Sequence, residues 1–355
     1  MNQSAFVSSL YGGYWSFGIQ DFCYLVNPYF PSPLWNKSLH ENLDTLVHSY
    51  PSTNWYISSL IAQNLGLTHN ELVVGNGASE LIAAISRCYV KDLAVPVPNF
   101  DEYANRARIQ GKHCAFFPMD QSFKLNINEF LHHIRTTGAN SVVIVNPNNP
   151  TGTLLFQADM LQLVESLRDL DLIIIDESFL EFSDSFPQAS MLRHIDNYPN
   201  LIIIKSLSKV YGIAGLRLGY AASSNKDFIE SIRSEIPIWS INSLAQFFVE
   251  EMGKYHQEFI DSCAKVRDAT QFLFEGLKKL TFLHPYPTQG NFVLCNLLFG
   301  LTASKIKETL YSKYQILVND CSHKQGLNGE FIRISSRTKE ENATFLQAIQ
   351  RVGGA

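Results

Sequence analysis

Lys209 stands in the string Ser206-Leu207-Ser208-Lys209-Val210-Tyr211-Gly212-Ile213-Ala214-Gly215-Leu216-Arg217-Leu218-Gly219-Tyr220, directly after the apolar run Leu201–Ile204. A lysine condenses with an aldehyde only where it is reachable and at least partly neutral. Two serine hydroxyls (Ser206 and Ser208) and the Arg217 guanidinium flank it, a set suited to a phosphate dianion. Gly212, Gly215 and Gly219 permit turns and close backbone approach that a Cβ would block. Serine-x-serine-lysine alone is as often a plain surface loop. The whole string, at the carboxyl end of a strand where open α/β sheets place ligands, points to amine chemistry beside a bound phosphate.

Three further stretches carry chemistry. Gly75-Asn76-Gly77-Ala78-Ser79-Glu80 opens a helix after the pair Val73-Val74. The N–H groups of Gly77, Ala78 and Ser79 there would form an anion site, the helix dipole adding roughly 0.3–1 kcal/mol. Asp176 closes the apolar run Leu172–Ile175, where a carboxylate is either a strand-end cap or a functional group. In Phe331-Ile332-Arg333-Ile334-Ser335-Ser336-Arg337 an arginine interrupts an apolar strand. Arginine is rarely buried unpaired, and its planar fork suits a carboxylate, so Arg333 is the expected substrate anchor. Strand alternation sets Arg333 and Arg337 on one face, roughly 13 Å apart if the strand stays regular. Two such cations could engage two anionic ends of one substrate; the alternative is a solvated edge-strand pair.

The elements that must position these groups follow from pattern. Leu93–Val97, Ser141–Val145, Leu172–Ile175 and Leu201–Ile204 are short and β-branched or Leu-rich, as strands buried on both faces of a parallel sheet are. Amphipathic segments at Ser79–Tyr89, Asp101–Gln110, Gln157–Asp169 and Lys226–Ile236 alternate with them. That alternation predicts an α/β domain with helices on both faces of the sheet. Beyond it, a helical stretch over Leu244–Leu280, short strands near Asn291–Cys295 and Phe331–Ser335, and a helix from Lys339 predict a smaller α+β layer. The division expected is 1–45 for an N-terminal arm and part of the small domain, 46–245 for the large domain and 246–355 for the small one. At 355 residues the chain exceeds what one core usually supports. The arm Tyr11–Pro33 is rich in Gly, Pro and aromatics with little periodicity, and is expected to lie across something, a second subunit being a good candidate.

Composition narrows the partners. A formal charge of −5 gives no reason to expect nucleic acid or an anionic membrane surface. No apolar run approaches the roughly 20 residues of a membrane span, and the first ten residues lack a signal peptide's basic start and apolar core. The six cysteines are scattered without a C-x-x-C pair, as reduced core residues are, so neither metal nor disulfide is expected and the cytoplasm is the expected compartment.

Taken in order along nearly the whole chain, these motifs resemble the fold-type I pyridoxal-phosphate enzymes, the aspartate aminotransferase superfamily. The resemblance implies that fold, with pyridoxal 5′-phosphate held covalently on Lys209. It implies that Asp176, in Ile175-Asp176-Glu177-Ser178-Phe179, pairs with the cofactor's ring nitrogen and keeps the ring an electron sink. It implies that Asn149, in Asn146-Pro147-Asn148-Asn149-Pro150-Thr151-Gly152, bonds the phenolic oxygen and that Phe100 stacks on the ring. Gly77, Ala78, Ser79, Ser206, Ser208 and Arg217 would cradle the phosphate. Tyr50 would reach the phosphate of a neighbouring subunit, which makes a homodimer the expected assembly.

Asn27-Pro28, Tyr50-Pro51 and the closing Gly326-Leu327, Phe331-Ile332-Arg333 and Glu341-Asn342 resemble one subgroup, that of histidinol-phosphate aminotransferase and threonine-phosphate decarboxylase. Gly12-Gly13, Glu102-Tyr103 after Phe100, Phe179 in place of a common Tyr, the Arg333/Arg337 spacing and Pro237-Ile238-Trp239-Ser240 lean toward the decarboxylase. On that resemblance Gly12, Asn27, Arg333 and Arg337 are the expected substrate contacts. Two positions depart from the pattern: Tyr11 stands where such decarboxylases have His, and Asn319 where both relatives have Arg. A charge-assisted bond is worth roughly 1.5–3 kcal/mol. Either Arg337 takes over, then, or the substrate is less anionic.

The reaction turns on a dihedral angle, because only the α-carbon bond perpendicular to the cofactor ring overlaps its π system. With the substrate carboxylate in plane, C–H breaks and transamination follows; turned out of plane, CO2 leaves. Decarboxylation of a small phosphorylated amino acid is expected ahead of transamination. A DNA-binding regulator on this fold would carry a basic module ahead of it, which the acidic chain and the early start of the arm argue against.

Overall fold

The computed structural model describes residues 6, 7, 9, 10 and 12–354; Tyr11 lies outside them. The first strand, β1 (Gln20–Phe22), is followed by β2 (Leu72–Asn76), β3 (Asp92–Val97), β4 (His113–Pro118), β5 (Ser141–Val145), β6 (Leu172–Asp176), β7 (Leu201–Ser206) and β8 (Leu218–Ala222). β2 to β8 form one sheet in the order β2-β8-β7-β6-β5-β3-β4. Its strands from β7 to β4 are parallel, and β8 runs antiparallel to both β7 and β2. Every residue of β5, β6 and β7 is buried, as a sheet covered on both faces requires. Val143, Ile174 and Ile202 pack on one face with Leu81 and Ile85 of helix Ala78–Cys88. Val142, Ile173 and Ile203 pack on the other with Phe130 and Met160 from helices Ile127–Thr137 and Gln157–Ser166.

The second sheet adds β9 (Leu283–Pro285), β10 (Phe292–Leu297), β11 (Ile316–Asp320) and β12 (Phe331–Ser335), in the order β1-β11-β12-β10-β9. Helices His256–Leu277, Ala303–Tyr314 and Lys339–Gly353 cover it through Leu273, Ile306 and Phe345. Phe22 of β1 stacks on Phe345 with ring centroids 4.7 Å apart, so the arm is pinned into this core. The last helix opens on a capping box between Thr338 and Glu341.

Two elements differ from the sequence reading. The arm supplies an edge strand, β1, parallel to β11, because three residues are too few to show any alternation. The helical stretch over 244–280 is two helices, Ser243–Glu251 and His256–Leu277, broken by a 3-10 turn at Met252–Tyr255 that contains Gly253. The cysteines are free, three of them buried and three half-buried.

Candidate active site

β7 delivers Ser206 to the sheet's carboxyl edge, and a single helical turn, Leu207–Val210, carries Lys209. The arm clamps this turn. Asn27 N–H donates to the Lys209 carbonyl at 3.0 Å, and Asn27 Nδ2 donates to the Val210 carbonyl and to Ser262 Oγ, both at 2.8 Å. Gly212, at φ +66°, lies so close to the Phe30 carbonyl that an added Cβ would stand 1.8 Å from its oxygen. The side chain of Asn27 is therefore spent inside the protein, its Oδ1 accepting from Tyr29 N–H. That corrects its expected role: Asn27 holds the lysine turn and does not face a substrate.

Lys209 is half-buried, and its amine makes no hydrogen bond or ion pair within the described residues. Burial, then the nearby Arg333 and Arg217 charges, lower its amine to about 8, against the opposing pull of Asp176. A sizeable neutral fraction near pH 7–8 is what condensation with an aldehyde needs.

Asp176 ends β6, beside β7. Its Oδ1 accepts from Ser178 N–H at 2.9 Å and from the Ser178 hydroxyl, and its Oδ2 accepts from the Tyr103 hydroxyl at 2.8 Å. Ser178 Oγ in turn accepts from Ser206 N–H at 2.9 Å, which ties the carboxylate to the lysine string. Burial pushes Asp176 up from its ordinary value, while Ser178 and Tyr103 pull it down. Burial and Asp176 together raise the Tyr103 phenol well above its usual range, so it stays a donor. Sequence reasoning used Tyr103 only as a subgroup marker. Its signal was the spacing from Phe100, one helical turn away; the two rings meet edge to face at 6.3 Å.

A cradle for an anion lies next to the lysine. Gly77, at φ +72°, caps the N-terminus of helix Ala78–Cys88, and a Cβ there would stand 2.3 Å from Arg217 Nη2. Gly219 of β8 allows the same closeness, since its Cβ would meet Ala78 N at 2.8 Å. The N-terminal N–H groups of Gly77, Ala78 and Ser79 and the Arg217 guanidinium thus converge, and Ser206, in register with Gly219, has a hydroxyl without a hydrogen bond inside the described chain. Ser208 is not part of the convergence. It is wholly buried, and its hydroxyl turns to the Leu218 carbonyl at 3.4 Å.

Arg333 sits buried in β12, its Nη1 donating to Asn149 Oδ1 at 2.6 Å and its Nη2 to the Cys23 carbonyl at 2.8 Å. Its Nε is buried without a partner, and its guanidinium lies 5.6 Å over the Phe292 ring. No carboxylate of the described residues touches it, which leaves a cation free for an anionic substrate. Arg333 and Asn149 face a cavity of about 730 Å³ whose walls include Phe100, Arg108, Lys307 and Lys324. Asn319 also lines it, opposite Arg333 in the β11–β12 register, with Nδ2 donating to Cys321 Sγ at 3.4 Å.

Three expected residues stand apart. Arg337 does not line the cavity: β12 ends at Ser335, so the regular alternation stops, and the Arg337 guanidinium pairs with Glu341 Oε1 at 3.1 Å. Gly12, at φ +144°, is not a wall of the cavity, and a Cβ there would meet nothing within 4 Å. Tyr50 is 80% exposed, tilted against Trp239 at 4.7 Å, and touches nothing in its own cradle. Among the described residues no group of His, Cys, Asp and Glu is placed to hold a metal, and no helix is long and apolar enough to cross a membrane.

A half-buried, unpaired amine, a carboxylate held by three donors and an anion cradle on one edge of a mostly parallel sheet define a lysine-dependent cofactor enzyme. Residues 17–349 match the model of the aminotransferase class I and II family, and the chain belongs to that family. It is 34% identical over 99% of its length to a CMP-5'-(3-aminopropyl)phosphonate synthase of Streptomyces rubellomurinus, of which it spans 56%. It is 32% identical to an L-serine phosphate decarboxylase of Campylobacter jejuni, over 93% of this chain and 87% of that one. The solved structure of a decarboxylase from Sulfurospirillum multivorans superposes with a TM-score of 0.87 at 29% identity, covering 96% of this chain and 90% of that chain. The fold is that of the aspartate aminotransferases, and the cofactor is pyridoxal 5′-phosphate. The residues present fit it: the cradle where a Cβ would collide with Arg217, the unpaired Lys209 amine, and the braced Asp176.

Proposed function

We propose that this chain is a pyridoxal-phosphate-dependent carboxy-lyase acting on a small amino acid with an anionic phosphoryl group, of the O-phosphoserine or O-phosphothreonine type. The observation that carries it is Arg333, a buried cation with no carboxylate partner, opening on a cavity walled by further cations. Lys209 would hold the cofactor, Asp176 would pair with its ring nitrogen, Asn149 would bond its phenolic oxygen and Phe100 would stack on its ring. Gly77, Ala78, Ser79, Ser206 and Arg217 hold its phosphate. The bound cofactor supplies an electron sink for a carbanion at the substrate's α-carbon. Arg333 fixes the substrate carboxylate, and Asn149 fixes Arg333 in turn. With its amine lowered to about 8, Lys209 is suited to hold a proton near neutral pH and give it back to that carbon. Phe179, packed edge-on against Phe292 at 5.4 Å, brings no hydroxyl to the site.

We place the enzyme as a homodimer in the cytoplasm. Exposed Val47, Tyr50, Trp55 and Ile238 suit a partner subunit, and six unpaired cysteines suit a reducing compartment. The two sheets support a division near residues 45 and 245. The second reading is transamination, in which Arg333 would retain the substrate carboxylate and the α-hydrogen would leave in place of CO2. One assay separates them: O-phosphoserine or O-phosphothreonine should release CO2 with no oxo-acid added. A requirement for 2-oxoglutarate, with a new oxo acid as product, would select transamination.

A further inference from the structure

Asn319 brings no charge to the substrate cavity and Arg337 is consumed by Glu341, so neither supplies a second cation there. Four lysines and arginines do line it: Arg108, Lys307, Lys324 and Arg333. Two of these are already engaged. Lys324 pairs with Asp101 and donates to the Asn99 carbonyl. Arg108 lies 5.0 Å over the Phe116 ring and donates to Gln325 Oε1 at 3.2 Å. Lys307 is different: among the described residues its ammonium has neither an ion pair nor a hydrogen bond.

Its placement is fixed by the fold. Helix Ala303–Tyr314 is capped by Thr302 and sinks Ile306 and Leu310 into the small core, leaving Lys307 half-buried at the cavity wall. Arg333 binds the Cys23 carbonyl, and the Cys23 thiol feels the charges of both Arg333 and Lys307. The two cations therefore both lie within reach of Cys23, which lines the same cavity. An amino acid whose carboxylate meets Arg333 must lodge its distal group elsewhere in that cavity, where Lys307 is the cation left without a partner among the described residues.

We propose that Lys307 is the specificity-determining residue for the substrate's distal phosphoryl group. This rests on the proposed decarboxylation of a phosphorylated amino acid. A lysine there acts as a point charge, not a planar fork, so it would accept phosphate and phosphonate alike.

The test uses the holoenzyme and three variants: Lys307→Gln, Lys307→Arg and, as a control outside the cavity, Lys305→Gln. O-phosphoserine turnover is measured together with binding of methyl phosphate, which has no amine and cannot react with the cofactor. In Lys307→Gln, KM and the methyl phosphate dissociation constant should both rise roughly tenfold or more, as loss of one charge-assisted bond implies, with kcat within about threefold. Lys307→Arg should restore most of the loss and Lys305→Gln should change little. Unchanged KM and binding in Lys307→Gln, or methyl phosphate failing to bind the wild-type enzyme, would overturn the assignment. If O-phosphoserine is not decarboxylated yet methyl phosphate binding still depends on Lys307, the functional reading fails and the anion site stands.

Discussion

Tyr103 donates its hydroxyl hydrogen to Asp176 Oδ2 at 2.8 Å, while Ser178 fills Oδ1 with both its N–H and its hydroxyl. A fully buried carboxylate would otherwise drift toward its protonated form, because burial disfavours the charge. Three donors reverse part of that and fix the plane of the carboxylate. The Ser178 hydroxyl also takes the Ser206 N–H, so the same network sets the end of the strand that presents Lys209.

Tyr103→Phe should therefore reduce kcat by about tenfold, near 1.5 kcal/mol for a hydrogen bond to a charged group, with KM changed less than about threefold. Losing a donor raises the Asp176 pKa further, so the acid limb of the kcat profile should move to higher pH. A variant with reduced kcat but an unmoved acid limb would show that the phenol only fills space.

β5, β6 and β7 were legible because buried parallel strands are continuous apolar runs, and that legibility placed Asp176 and Lys209 on neighbouring strand ends. The cradle was legible because Gly77 and Gly219 mark backbone approaches that only glycine allows. Asn27 was misread: its motif marks closeness to the lysine turn, but a motif does not say whether an amide faces inward or toward a ligand. Arg337 was misread for a different reason. Period-2 alternation holds only while the strand lasts, and β12 ends two residues earlier, where Glu341 of the next helix captures the guanidinium. Lys307 carried no signal at all, since a lysine on an amphipathic helix is ordinarily solvated; only the tertiary cavity distinguishes it.

Lys209 should cost the cofactor-free protein stability. Its amine is lowered to about 8 in the fold against 10.5 in the unfolded chain. Below about pH 8 both states are protonated and the fold bears the full penalty. Between pH 8 and 10.5 the folded protein gives up its proton while the unfolded chain keeps its own, so the penalty fades, and above that it is gone. In cofactor-free protein, Lys209→Met should thus be more stable than wild type by about 2 kcal/mol at pH 7. That advantage should shrink as pH rises through this window. Urea unfolding at pH 7 and pH 10 measures it, and a difference that does not change with pH would refute the linkage.

Beneath the same strand, Lys205 Nζ and Glu181 Oε1 form an ion pair at 2.6 Å with both side chains less than a tenth exposed. Burial works against the Lys205 charge, yet Glu181, Tyr220 and Glu177 together raise its ammonium above the ordinary value. The long helix His256–Leu277 also reaches this point, through Arg267 Nη1 donating to the Glu181 carbonyl at 3.1 Å. Glu181→Gln would strand a buried ammonium and should cost about 3–5 kcal/mol in urea unfolding. Removing both charges in Lys205→Met/Glu181→Leu should recover most of that loss, because two desolvated charges barely offset their own desolvation. The raised Lys205 value also sets the pH dependence. Its contribution is complete below about 10.5 and is lost only above that, so the Glu181→Gln deficit should be flat between pH 6 and 9. A double variant as unstable as the single one would mean that the pair serves packing and not charge balance.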